Sequence, residues 1–394
     1  MPSRPTLTIS IALTTDPSAT PSWTDVTAYL QAFSIKRGRS YELGAVPAGT
    51  LTLTLDNLDR RFDPTYTGGA YGSNVKLRRR VRVQATWNAV TYDLMHAYIT
   101  AFQPSISPTN GDAVMVIQAV DGFKALGLLN LNTSFAAQNV TTRIGAVLDA
   151  AGWLAADRDL STSLYTTQAV TLENVGVLTH LQRIVDDEAG RLFISRSGKV
   201  TYRRRHESMG PLPTTHVTMG DGGGSEELYP DVAFSFDDQT IANDVRVTRT
   251  GGTEQVATDA TSQTTYLPRT QAVSGTLHAS DGDAYELAHA LLAWQKDPRL
   301  RTATLTIDPD ADPTTLWPHV LGRDFGDRIG LKRRPPGGGT IDQPSTIEGV
   351  ALDYRVEGAL WAAAWELAPA DTTAYWLLGD ATYGVLGSTT VVGY

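Results

Sequence analysis

Residues 50–55 read TLTLTL. Thr and Leu alternate at a period of two, which puts Leu51, Leu53 and Leu55 on one face of an extended chain and the threonines on the other. A helix would scatter these six residues around its axis, so the stretch is a half-buried strand. The same reading extends outward to residues 6–13 (TLTISIAL), 26–36, 81–87, 90–100 and 113–120. Asn57, Asp59, Asp63 and Pro64 punctuate one turn, and Gly68, Gly69 and Gly72 mark a loop. No helix of ten residues is expected before about position 141.

The middle of the chain changes period. Residues 141–151 (TTRIGAVLDAA) predict a short helix capped by Thr141 or Thr142 and stopped by Gly152. A stronger helix is expected from Asn174, as cap, to about Ala189, with Gly190 ending it. Val177, Leu178, Leu181, Ile184 and Val185 share one face at three-and-four spacing. A hairpin follows, with Leu192, Phe193 and Ile194 turning at Ser197-Gly198 into Val200 and Tyr202. Residues 219–226 (MGDGGGSE) read as a loop, and 232–250 as strand. A third helix is expected over Asp281–Lys296, capped by Ser280 or Asp281, with Tyr285, Ala288, Leu291 and Leu292 inward and Pro298 beyond its end. Strands are expected at 302–308 and near 326–333. A loop follows at 335–339, then a hairpin of 346–356 with 359–367 around Glu357-Gly358. The last 25 residues carry two similar phrases, YWLLGDATYG and VLGSTTVVGY, and read as an extended arm able to add strands to a neighbour.

Composition bounds the function. With 394 residues the chain exceeds one ordinary core, so two to four domains are expected. There are no cysteines, which excludes disulfides, thiolate metal sites and cysteine nucleophiles. The formal net charge of −9 argues against a general nucleic-acid binder, yet suits the wall of a channel through which DNA slides. No segment approaches the roughly 20 apolar residues of a membrane span. The alternation of residues 6–13 reads as a first strand and not as a signal peptide.

Four stretches in residues 25–124 then form a recognisable set: DVTAYLQAFSIKRGRSYEL, AGTLTLTLDNLDRRFDPTY, NVKLRRRVRVQATWN and AVDGFKAL. They resemble the N-terminal domain of siphovirus minor tail proteins, of the type found in phages of actinobacteria and belonging to the baseplate-hub (tail hub) family. The helix and hairpin at 174–205, WQKDPRLRTATLTIDP at 294–309, GDRIGLKRRPPGG at 326–338 and IEGVALDY at 347–354 extend the resemblance to about residues 20–394. The resemblance implies a mainly β fold with α+β insertions. Two tail-tube-like β-barrel domains, 1–125 and 219–369, would flank a central α+β domain at 126–218, with an extended C-terminal arm at 370–394. It implies a homotrimer at the tail tip of the virion, made in the host cytoplasm. Its partners would be the tail tube or distal tail protein, the tape-measure protein, and other tail-tip or central fibre proteins. DNA would pass through without specific binding. A distal tail or adsorption protein that binds host cell-wall carbohydrate through Trp23, Trp87, Trp153 or Trp376 is the competing expectation.

The chemistry-bearing residues lead to structural roles. Asp56, Asn57, Asp59, Arg60, Arg61 and Asp63 crowd carboxylates into one turn, but no Glu follows at the spacing a calcium loop needs, so local Asx bonds and Arg–carboxylate pairs are expected instead. Arg78, Arg79 and Arg80, with Arg82, form a basic patch that suits either nucleic-acid contact or, favoured because no aromatics interleave, ion pairing with an acidic neighbouring subunit. Arg203-Arg204-Arg205 carries the same ambiguity, with solvated positions as the default. Tyr375, Trp376, Tyr383 and Tyr394 are the candidate contacts of the arm. Seven histidines fall at 96, 180, 206, 216, 278, 289 and 319 with no local metal pair; His180 and His289 are expected to be packed or partly exposed. No GxSxG elbow or P-loop is present, so no catalytic residue, metal or cofactor is expected. Asp186-Asp187-Glu188 stands out, because three carboxylates are unfavourable at a helix C-terminus and call for either a nearby arginine or a subunit contact at the helix end.

Overall fold

The structure, a computed structural model, describes residues 4–39, 45–106, 113–205 and 215–370. The chain opens with seven strands: β1 (Thr6–Ile11), β2 (Thr24–Asp25), β3 (Leu30–Gly38), β4 (Thr50–Asp56), β5 (Arg80–Trp87), β6 (Val90–Ile106) and β7 (Ala113–Val120). A mixed region follows with α1 (Gly122–Leu126), β8 (Asn130–Phe135), β9 (Gln138–Asn139), α2 (Val140–Ala150), β10 (Arg158–Leu160), β11 (Thr166–Thr167), β12 (Val170–Gly176), α3 (Val177–Asp186), β13 (Arg191–Ile194) and β14 (Val200–Arg203). The rest comprises β15 (Thr215–Met219), β16 (Asp231–Ser235), β17 (Asp244–Arg249), β18 (Gln255–Thr258), α4 (Ala260–Tyr266), β19 (Thr270–Thr276), α5 (Asp281–Gln295), β20 (Arg301–Ile307), α6 (Pro313–Gly322), β21 (Arg328–Arg333), β22 (Ile341–Arg355) and β23 (Leu360–Pro369).

The fold is mainly β. One sheet runs β16-β20-β23-β22-β3-β4-β7-β6-β5-β1-β2, and β21 and β15 branch from β22. Among the described residues this path is open at both ends, so the strands do not close into a barrel. Strand β22 is the branch point. Ile341–Thr346 pair with β21, Gly349–Arg355 pair with β3, and β23 lies along the other edge. Leu51, Leu53 and Leu55 are buried, each contributing about 1.5–3 kcal/mol of apolar transfer energy. Their core also takes Ile347, Trp365 and, from α6, Trp317. A second core lies between α1, α2, α3 and the β13–β14 hairpin, and a third beneath α5.

Helix boundaries differ from the expectation for local reasons. Asn139, not Thr141 or Thr142, caps α2, accepting from the Thr141 amide. Asn174 is not a cap: it sits at φ 53° on β12, its amide donating to the Asn132 side chain, and α3 begins at Val177. The left-handed residue after α3 is Ala189, at φ 52°, one position before Gly190. Ser280 and Asp283 form a capping box on α5, but Tyr285 faces outward against His289 while Ala284, Leu287 and Ala288 are buried. The 232–250 stretch is two strands in different sheets, β16 and β17. Helix α6 was not expected: Asp312 caps it and Pro313 starts it, while Pro318 lies inside it. The β13–β14 and β22–β23 hairpins turn where the sequence places them, at Gly198 (φ 82°) and Gly358 (φ 74°).

Gly38 governs the join between β3 and β22. It adopts φ 96°, and a Cβ there would lie 2.2 Å from the Glu348 carbonyl oxygen and 2.5 Å from the Gly349 Cα. Gly38→Ala is expected to lower unfolding free energy by about 2–4 kcal/mol, read as the midpoint in urea. Gly145→Ala in α2, where a Cβ would meet nothing within 4 Å, should be neutral or stabilising by up to about 1 kcal/mol. Equal effects at the two positions would refute the close-approach argument.

Candidate functional site

Buried charge concentrates where the three cores meet. A bulge in the β22–β23 ladder falls between Ile347 and Gly349, and the residue inside it is Glu348, 2% exposed. A bulge re-aims a side chain out of strand alternation. Here the Glu348 carboxylate meets the Arg39 guanidinium at 2.9 Å and also pairs with Arg191. Beside it, Arg37 reaches from β3 to Asp324 at 3.1 Å, donates to the Ile194 carbonyl at 2.7 Å, and lies over the Phe325 ring. Arg196, at the β13–β14 turn, donates to the Leu321 carbonyl at the end of α6 and lies 4.0 Å from Asp324. Burial pushes the Asp324 carboxyl up, but Arg37 and Arg196 more than offset it and hold it below the ordinary value. Burial also lowers Arg196, to about 10. Guanidiniums from one layer therefore meet carboxylates and carbonyls of another, in the geometry that planar Arg favours.

The Asp186-Asp187-Glu188 cluster belongs to this seam. Burial raises all three carboxyls, Asp187 to about 7. Asp187 accepts from the Leu277 amide at 2.7 Å, tying the end of α3 to the segment before α5. Glu188 accepts from the Ser163 hydroxyl at 2.6 Å. Arg39 opposes the burial of Asp186, and Arg205 and Arg204 oppose that of Glu188, so the arginines the cluster called for are present. Arg203, Arg204 and Arg205 line a cleft of about 200 Å³ with Arg39, Arg191 and Trp294. Arg203 pairs with Asp159 at 2.5 Å, and Arg205 donates to the Tyr165 hydroxyl at 2.5 Å.

The turn after β4 holds its own charges. Asp56 accepts from the Leu58 amide, Asn57 from the Phe62 amide, and Asp63 from Thr65. Arg60 pairs with Asp63 at 2.8 Å, while Arg61 pairs with Asp59 and lies 3.9 Å from the Tyr29 ring centroid. Arg79 and Arg80 also bind within the chain: Arg79 to the Thr15 carbonyl and Asp16, Arg80 to Asp157 at 3.2 Å and the Pro17 carbonyl. Arg78 alone of the three is exposed, at φ 66°. Tyr375, Trp376, Tyr383 and Tyr394 lie outside the described residues. Trp87 is buried, Trp23 lies between Arg82 and His96, and Trp153 packs against Tyr98. His180 stacks on Phe135 and is lowered to about 4 by burial, with Arg143 and Arg183 adding to it. No group of three or more acidic or histidine side chains among the described residues is placed to hold a metal ion.

Asp324→Ala would leave Arg37 and Arg196 buried without their carboxylate, and is expected to destabilise by about 3–5 kcal/mol in urea unfolding. A loss below about 1 kcal/mol would show that the carbonyl contacts suffice. Asp187 titrates from 3.8 in its ordinary state to about 7 when folded. The folded state therefore holds the proton more tightly, and stability falls as pH rises through that window. Asp187→Asn should remove this slope between about pH 4 and 7 relative to the wild type; parallel curves would refute the assignment.

No family model and no curated protein matches this sequence. Solved structures do match in fold. A tail protein from Neisseria meningitidis MC58 aligns over 92% of this chain and 96% of its own, with TM-score 0.59 and 13% identity. The 43 kDa tail protein of prophage MuSo2 from Shewanella oneidensis aligns over 93% and 98%, with TM-score 0.58 and 11% identity. An E. coli type VI secretion component, described as structurally similar to the T4 bacteriophage tail proteins gp27 and gp5, aligns over 87% and 74%, with TM-score 0.50 and 11% identity. The fold of this chain is therefore a phage-tail-type fold, shared along nearly its whole length with two bacterial tail proteins.

Proposed function

We propose that this chain is a structural subunit of a bacteriophage tail tip, of the baseplate-hub type, in a siphovirus virion. Three copies form a ring that continues the tail tube, contacts the tube or distal tail protein, and organises the tip and central fibre proteins. The observation that carries this reading is the whole-length fold likeness to tail proteins. The two strand groups that share β22 would act as two tube-like walls per copy, giving six around a three-fold axis. Three chains carry a formal charge of 3 × (−9) = −27, which suits a bore that passes DNA and the tape-measure protein without binding them. The work is mechanical and not enzymatic. The interlocked arginines of the seam support this, because a ring under load needs its layers to move as one body.

Cryo-electron microscopy of the intact particle, focused on the tail tip, tests the proposal. The expected result is a three-fold ring of this chain with six wall units abutting the tube. Six copies around the tube, or copies only on peripheral fibres, would overturn it.

A further inference from the structure

At one end of β7 lies an apolar cleft of about 200 Å³ whose lining includes Leu77, Arg78, Tyr98, Ile99, Lys124 and Leu128. Leu77 and Leu128 are 58% and 50% exposed, an unusual placement for leucines that share one concavity. Two cations stand on its rim. Neither Arg78 nor Lys124 makes a side-chain hydrogen bond or ion pair among the described residues, whereas Arg79 and Arg80 both do. Arg78 is held at φ 66°, a left-handed conformation that costs a non-glycine residue free energy, while its amide donates to the Ile99 carbonyl. The cleft thus asks for an apolar side chain flanked by carboxylates.

The chain itself presents such a group at the other end of β7. Leu58 is 63% exposed at the turn after β4, between Asp56 and Asp59. Asp56 turns back to accept from the Leu58 amide, which fixes the leucine at the tip of the turn. The two features cannot meet within one molecule. Asp56 is paired with Val114, and Tyr98 with Val120, so six strand residues separate turn and cleft, roughly 20 Å.

We infer that the Asp56–Asp59 turn of one copy docks in the Leu77–Leu128 cleft of the next, with Leu58 in the cleft and with Asp56 and Asp59, the latter half exposed beyond its pair with Arg61, facing Arg78 and Lys124. This is a head-to-tail contact between different surfaces, the kind that closes into a ring when the rotation between copies permits. It rests on the reading that copies of this chain stand side by side, and it gives that ring a specific contact.

The absence of cysteine from the sequence makes the test clean. Full-length Leu58→Cys/Leu77→Cys is mildly oxidised and run on a non-reducing gel beside each single variant, and the same samples are imaged for rings. Both leucines are exposed, so folding should be retained, with thermal unfolding as the check. The two thiols of one chain are too far apart to join, because a disulfide needs Cα atoms about 4.4–6.8 Å apart. The expected result is a dimer-to-trimer ladder in the double variant, reversed by reductant and absent from both single variants. Adding Arg78→Glu should cut the cross-linked fraction about tenfold, since it sets like charge against the aspartates. A dimer band in a single variant would mean a two-fold contact and overturn the inference, and an unchanged fraction with Arg78→Glu would overturn the charge pairing. Rings without a ladder would also overturn it, leaving the cleft to the 371–394 segment or another tail protein. Chains that remain single both in solution and in the particle would overturn the ring reading itself.

Discussion

The close approach of β3 to β22 is the constraint on which the rest of the structure depends. Gly38 and Gly349 face each other across that ladder, and a Cβ on Gly38 would collide with backbone on the other strand. Among the described residues, only the β3–β22 ladder turns two groups of strands into one sheet. The strands before residue 121 and those after residue 300 then share a single apolar core, with Leu53, Ile117, Trp317 and Trp365 buried together. The same join places the Glu348 bulge over the central region, so backbone geometry decides where the buried charge must sit.

Buried charge is a costly adhesive, since each ion loses its hydration and recovers it only through well-placed partners. The seam meets that condition by using arginine. Arg37 satisfies a carboxylate and a carbonyl at once, and Glu348 serves two guanidiniums. Apolar packing there would hold the layers equally well but would tolerate sliding, whereas directional Arg contacts admit one register. The gain from such contacts is a fixed register between the layers more than the last few kcal/mol of stability.

Much of this was legible along the chain. The alternation of residues 50–55, the amphipathic face of α3, the Ser197-Gly198 turn and the capping Ser280 all act through neighbours a few residues away. The calcium-like turn at 56–63 was also readable as local Asx and Arg pairing, because its partners lie within the same short stretch. The seam was legible only as a discomfort: Asp186-Asp187-Glu188 called for arginines without saying which. Their partners, Leu277, Ser163, Arg39 and Arg205, lie far away in sequence, and Arg196 and Asp324 carried no signal at all. Helix α6 escaped because Pro318 reads locally as a breaker, while burial of Leu316, Trp317 and Val320 overrides that preference.

The sequence by itself determined the mainly β character, the sites of the main turns and two hairpins, the absence of thiol chemistry, and the acidic balance. These follow from side-chain period, backbone preference and composition, which act over a few residues or none. Tertiary structure alone decided which strands pair, that the sheet path stays open among the described residues, that Arg79 and Arg80 turn inward while Arg78 does not, and that Leu58 and the Leu77 cleft lie at opposite ends of β7. Strand pairing carries no local code: every strand edge offers the same N–H and C=O groups, and the choice of partner rests on which faces bury together once the whole chain has closed.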